Sequence, residues 1–349
     1  MLPHRSTLAV ASLLAFGATS FAAESTAGSS PVDHLPPYIT TLTTFGERAD
    51  WSHDGRRILF LSKTFGDAME IDLATRSIRN LTAHYPHYGY TRALYLANGD
   101  ILLCGPERFD PKRPDDARRH CYLYVLDRSL TKPAAPLGAL CSEGPAVSRK
   151  RLHIAWTQWS ESSNHQPPAR SQIFEADIAY QDGTPRLANQ EPVIENRALP
   201  FRCTLETQNF RPPDEKELTF SAYNPPGTES DVCGVMLATK AVTNYTASPD
   251  TYDEPEGIYP DGRFTLVECD RQNHQGPRHI DIWKLALDGS GRYERLTFFS
   301  DYPGYKASNP VVSDDGRFIA FQLAKAGDPA GVGHGICLYD IEKAARGRQ

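Results

Sequence analysis

The chain has no Lys/Arg-rich tract and carries a formal net charge of −6. Phosphate backbones are bound through clustered cations, so this balance argues against a nucleic-acid partner. Beyond the N-terminal segment no apolar run is long enough to cross a bilayer. The seven cysteines include no CxxC pair, which argues against a structural zinc site. No Gly-x-Ser-x-Gly elbow and no His-Glu-x-x-His occurs, so neither a strand–turn–helix serine hydrolase nor a zinc peptidase is signalled. Helical periodicity is almost missing as well. What stands in its place is short alternating apolar runs and many turn residues, 27 Pro and 25 Gly, the composition of an all-β chain.

At the N-terminus, His4 and Arg5 precede an uncharged apolar stretch from Leu8 to Ala22 that ends in small residues. That layout is a secretory signal peptide over residues 1–22, too short for a comfortable membrane span. Residues 23–37 are small, polar and Pro-rich and read as a flexible leader. The expected location is therefore the periplasm or the exterior. An oxidising compartment permits disulfides. Cys104 ends one predicted strand and Cys121 opens the next, so these two are the first expected pair, and Cys141 with Cys203 the second. The alternative is that several cysteines are small buried apolar residues.

The rest of the chain repeats itself. Gly55, Gly99, Gly262 and Gly316 each follow Asp or Asn and precede an apolar strand: "RRILFLS", "DILLCG", "RFTLVE", "RFIAFQ". Such a turn needs a positive φ, which Gly supplies without a Cβ clash. Degenerate copies at Pro145–Trp156 and Asn209–Tyr223 bring the total to six. A third, alternating strand follows each hairpin, and several copies close on a weaker strand ending "NLT", "NYT" or "RLT". Six four-stranded units in series describe a six-bladed β-propeller of antiparallel blades over residues 38–342, with a tail over 343–349. A sandwich is the competing all-β reading, but six in-phase copies weigh against it. The last copy has no fourth strand, whereas Tyr38–Phe45, "YITTLTTF", carries the "LT" phrase with no unit before it. This N-terminal segment is expected to supply the outer strand of blade six and so close the ring.

"NPVVSDDGRFIAFQ…GICLYDIE" and "ADWSHDGRRILFLSK…MEIDLATRSIRNLT" resemble the repeats of the TolB-like propeller family, which read approximately P-x-x-S-P-D-G-x-x-I-x-F, then I-x-x-x-D, then L-T. The resemblance covers Pro36 to Glu342 and implies a fold. Its Asp-Gly turn and Ser are structural devices, and they imply no chemistry.

In propellers ligands usually sit at one mouth of the central channel. The polar residues seven or eight places before the turn are Arg48, Arg92, Glu143, Gln208, Glu254 and Asn309, with Glu256 and Asn209 one step further in. They are expected to form a ring that either pairs with itself or binds a polar ligand. The repeated turns, Asp314 and Asp315 included, are expected to point away from the ligand mouth. Long loops after the second strands carry Trp156, Trp159, His165, Asp270, His274 and Arg278, which could meet above the channel and suit a sugar or a protein.

His84, His87 and His334 raise a metal question. Secreted propeller enzymes that cleave oligogalacturonates hold a divalent metal with several His and a Gln. This chain has no Gln-x-x-His-x-His run, so those ligands are not carried over. No cofactor is expected, a divalent metal being the open alternative. Two functions remain. One is an exported, monomeric scaffold that binds a protein or an oligosaccharide. The other is a carbohydrate-active lyase or hydrolase working through carboxylates at the channel mouth, since general acid–base chemistry needs such groups within reach of one proton.

Overall fold

The computed structural model describes residues 28–160, 170–225 and 227–347. It contains six four-stranded antiparallel sheets arranged as the blades of a propeller. The inner strands, in order, are Glu47–Trp51, Arg92–Tyr95, Glu143–Val147, Thr204–Phe210, Asp253–Ile258 and Tyr305–Val312. Five blades run inner to outer in chain order. In the sixth, Ile39–Thr41 pairs antiparallel with Cys337–Tyr339 and provides the outer strand, as the "LT" phrase predicts.

Each repeated phrase has a mechanical task. In the turns, Ser52 Oγ accepts from Arg57 N at 2.9 Å, and Ser313 Oγ accepts from Phe318 N at 3.0 Å. Asp54 and Asp315 each accept from the Ser hydroxyl and from a backbone N–H two residues on. These bonds satisfy backbone donors that the tight turn would orphan. The Thr of the "LT" phrase fastens the third strand. Thr82, Thr246 and Thr297 accept from Ala68, Val232 and Ile282 N at 3.2, 3.0 and 2.9 Å. Thr43, from the N-terminal strand, accepts from Ile336 N at 2.9 Å, the same bond made across the ring closure. The sequon residues Asn80 and Asn244 accept from the backbone N–H groups of Thr82 and Ala83, and of Thr246 and Ala247.

The apolar core lies between blades, where side chains of facing sheets interleave. One cluster joins blades three and four through Ile173, Leu205, Phe220 and Val235. Another joins blades five and six through Leu266, Ile282, Ile319 and Phe321. Burying side chains of this size is worth about 1.5–3 kcal/mol each, which holds neighbouring blades face to face.

Several expectations need correction. All seven cysteines are free thiols, so neither Cys104–Cys121 nor Cys141–Cys203 is bridged. The first pair does sit on one face of blade two: Cys104 is opposite Leu123 and Cys121 is two residues from it. Cys203 instead packs between blades three and four. Within the stretch read as a flexible leader, Pro31–His34 forms a 3-10 turn with Pro31 buried, and Val32 and Leu35 pack on blade six. The expected tail begins in a helix, Ile341–Gly347, which buries Ala344. Residues 1–27 lie outside the described residues, and with them the signal-peptide expectation.

Candidate functional site

The inner strands aim polar groups at the axis by a shared irregularity. In blades one, three, four, five and six, the inner strand carries one extra residue relative to its partner. Such a bulge re-aims a side chain that regular alternation would place elsewhere. Arg48 and Asn309 occupy equivalent bulge positions with φ of 52° and 49°, and Gly144 has 81°. Blade two keeps regular register, with Arg92 opposite Cys104.

Below this ring, toward the repeated turns, lies a cavity of about 330 Å³. Arg48, Arg92, Gln208, Asn209, Glu256 and Asn309 line its inner end. Its walls include Pro145, Pro212, Pro213, Pro260, Phe210 and Val311, and its outer end carries Asp50, Arg149, Lys150, Glu215 and Asp314. The cavity therefore sits on the turn side of the channel, opposite to the side expected from the sequence. Arg149, on the blade-three turn, reaches to Asp314 on the blade-six turn (Nη2–Oδ1 2.6 Å), to Asp50 (3.5 Å) and to Trp51 O (2.9 Å). His53 Nδ1 lies 2.9 Å from the other Asp314 oxygen. Asp314 is thus a clasp for Arg149, while Asp315 is the turn former.

Among the described residues, three contacts cross the loop side of the channel. Arg118 donates to Ala330 O at 3.0 Å, Gln322 donates to Gly331 O at 3.2 Å, and Gly333 N donates to Glu47 at 3.1 Å. Arg48 pairs with buried Glu47 at 2.9 Å beneath Gly331. Beneath these contacts four carboxyl groups gather: Glu206, Glu254, Glu256 and Glu268. Glu268 faces the axis because it stands directly opposite Glu254 in blade five. Tyr223 contacts Glu206 at 2.6 Å and also Glu254, and Tyr252 contacts the other Glu254 oxygen. A tyrosine hydroxyl has one proton, so it cannot donate to two ionised carboxylates at once. At least one proton is therefore shared in this network. Burial, with the Glu256 charge adding to it, pushes Glu254 up to about 7. Burial likewise pushes Glu256 up to about 8, against the pull of Arg92 and reinforced by Glu268 and Glu206. Glu268 also rises to about 8, from burial and Glu254. Arg92 lies 3.5 Å from Glu206 and 3.7 Å from Glu256, and Asn309 donates from Nδ2 to Glu256 at 2.8 Å and from its backbone N to Glu268 at 2.6 Å.

Of the residues expected from sequence, Arg48, Arg92, Gln208, Asn209, Glu256 and Asn309 meet at the cavity. Glu254 is buried behind them among tyrosines. The Glu143 side chain lies outside the described residues, as does His165. The described members of the loop set do not assemble. Trp156 is core, stacked on Phe174, and Trp159 is half-buried, donating to Leu205 O at 3.3 Å. Asp270 is buried, accepting from Tyr252 N, while His274 is exposed against Asp250 O and Arg278 is exposed nearby. His84 and His87 contact Lys132 O and Asp67, and His334 contacts Asp328. Among the described residues no group of His, Cys, Asp or Glu has the geometry to hold a metal ion.

Sequence reasoning missed Glu206, Glu268, Tyr223, Tyr252, Asp50 and Arg149. Glu206 was findable: it precedes Gln208 by two residues, as Glu254 precedes Glu256, and inner-strand faces repeat with that period. Arg149 and Glu268 lie outside the inner strands and carry no such signal.

No protein-family model matches the chain, and no curated protein matches it. Solved structures do resemble it. An oligogalacturonate lyase from Vibrio parahaemolyticus is 13% identical with a TM-score of 0.51, over 87% of this chain and 80% of that one. A puromycin-hydrolyzing peptidase from Mycobacterium tuberculosis is 14% identical with a TM-score of 0.49, over 80% of this chain, which spans 40% of that one. TolB from Acinetobacter baumannii is 17% identical with a TM-score of 0.44, over 84% of this chain and 65% of that one. At this identity the likeness to the lyase shows a common fold and no more.

Proposed function

We propose that this chain is an exported, TolB-like binding scaffold whose turn-side cavity receives a ligand, a short peptide segment of a protein partner being the class it suits best. The observation that carries this is the cavity itself, with four prolines and a phenylalanine along its walls and charged or amide groups at both ends. Apolar walls with a few placed polar groups are the usual character of a ligand pocket. A peptide offers both an apolar body and paired backbone donors and acceptors. An oligosaccharide would use the same polar ends with less of the apolar wall.

One observation favours the enzymatic reading. Glu256 lines the cavity and is held toward its acid form at neutral pH, as a general acid requires. Against it, the carboxylates at the outer end that would have to act as base are already engaged: Asp50 and Asp314 by the Arg149 side chain, and Glu215 by Ser148 and the Arg149 backbone N–H.

A peptide and oligosaccharide binding screen on the purified protein tests the proposal, with Val311→Trp as the variant that fills the cavity. Loss of binding in a folded Val311→Trp protein is the expected result. Binding untouched by Val311→Trp refutes the placement, and turnover of a bound saccharide, lost in Glu256→Gln, replaces the scaffold with the enzyme. Export is tested separately, by N-terminal sequencing of the mature protein for cleavage near Ala22.

A further inference from the structure

We propose that the cleft between blades one and two, on the turn face, is a second binding site that takes an oxyanion group: phosphate, sulfate or carboxylate. This cleft holds about 430 Å³ and is separate from the channel cavity. Arg57 and Arg79 enter it from blade one, and Arg128 from blade two. They face two carboxylates, Glu70 and Asp54, so three guanidiniums exceed the acids by one charge. In a chain of net charge −6 this is a local reversal of sign.

The donors are also under-used. Glu70, only 4% exposed, holds Arg79 through Nε at 2.8 Å, which leaves the terminal nitrogens of Arg79 directed beyond the pair. Arg57 has its ion pairs at 3.5 Å to Asp54 and 3.7 Å to Glu70, too long for good hydrogen bonds. Arg128 donates to Asn98 O through one nitrogen, and its backbone N–H is fixed by Asp100 at 3.0 Å. A guanidinium carries five donors in a rigid fork matched to planar and tetrahedral oxyanions. Here a buried carboxylate orients one fork, and two more flank the same space. His53 forms the wall toward the channel, with its ring nitrogens on Leu96 O and Asp314. An anion in the cleft therefore sits beside the channel mouth without entering it.

Calorimetric titration of the purified protein with inorganic phosphate, sulfate and glucuronate at low ionic strength tests this. Saturable binding of one anion per chain is expected, weakened about tenfold in Arg79→Gln and in Arg128→Gln, the loss of one charge-assisted hydrogen bond. Arg292→Gln, an exposed arginine of blade five that pairs with Asp288 and lines neither pocket, should leave it unchanged. Phosphate and sulfate binding above glucuronate assigns a tetrahedral group, and the reverse order assigns a sugar carboxylate. No saturable binding by any of the three, or an equal loss in Arg292→Gln, overturns the proposal. Melting temperatures of the variants verify that each remains folded.

Discussion

Glu256→Gln should make the protein more stable than wild type at alkaline pH and should change the shape of its stability curve. Glu256 is buried at the channel axis, and its native pKa is pushed up to about 8 from 4.5. The sign follows from linkage. A carboxyl whose folded pKa exceeds its unfolded value binds its proton more tightly in the native state. Its stabilising contribution is complete below pH 4.5 and is lost as pH rises through about 8. Each proton so retained steepens the fall in stability by about 1.4 kcal/mol per pH unit. Across three units, from pH 5 to 8, one group accounts for about 4 kcal/mol, a large share of a typical domain stability of about 5–15 kcal/mol. Glu254 and Glu268 act in the same direction, and the cluster titrates as a unit.

Glutamine copies the neutral acid: it keeps an oxygen for the Asn309 Nδ2–H, 2.8 Å from Glu256, and an N–H in place of the carboxyl proton. Urea unfolding of wild type and Glu256→Gln from pH 5 to 9 measures the difference, and background titrations common to both cancel. The variant should be similar or slightly weaker near pH 5, have a slope shallower by about one proton, and cross above wild type before pH 9. Parallel curves would refute the reasoning, because they would mean that Glu256 is ionised in the native protein throughout this range.

Three further outcomes follow from the fold. Gly262→Ala should cost about 3 kcal/mol, from left-handed strain plus overpacking, because a Cβ there would stand 1.7 Å from Pro212 O at φ +67°. Gly55→Ala, at φ +66° with nothing within 4 Å, should cost only about 1 kcal/mol, so equal melting-temperature losses would contradict the packing described. Deleting residues through Thr41 removes the partner of Cys337–Tyr339 and should abolish cooperative unfolding or cause aggregation through the exposed edge strand; a monomer with an unchanged calorimetric transition is the contrary result. Thiol titration with a disulfide reagent should find seven reactive cysteines only after denaturation, since all are buried and burial pushes Cys203 and Cys337 up to about 12. Fewer than seven thiols in unreduced, denatured protein would point to a bridge.

The blades were legible because their determinants are local. The Asp-Gly turns, the Ser three residues ahead of the turn Gly and the Thr of the "LT" phrase each act within a few residues or on the next strand, so one copy in the sequence predicts one copy in space. The N-terminal strand could be placed for the same reason, since Thr43 repeats a bond that Thr82 makes in blade one. Most of the axial ring was legible too, because alignment of the repeats puts Arg48, Arg92, Gln208 and Asn309 at one level.

The site as a whole was not. On the other side of the channel, the loop 326–335 meets the helix Pro114–Arg119 and the first inner strand through contacts between residues more than two hundred positions apart. Arg149 and Asp314 are 165 residues apart, on blades across the ring, and only closure of the propeller brings them together. Similarly, Cys104 and Cys121 were correctly placed as neighbours on one sheet face, but adjacency in a sheet does not make a bridge. The sequence by itself determined the repeating blade, its turns and the strand that closes the ring, since these are set by bonds of short range. The tertiary structure alone decided where charge is buried, which carboxyls keep their protons and on which side of the channel the cavity lies. Desolvation and pairing at the axis depend on all six blades at once.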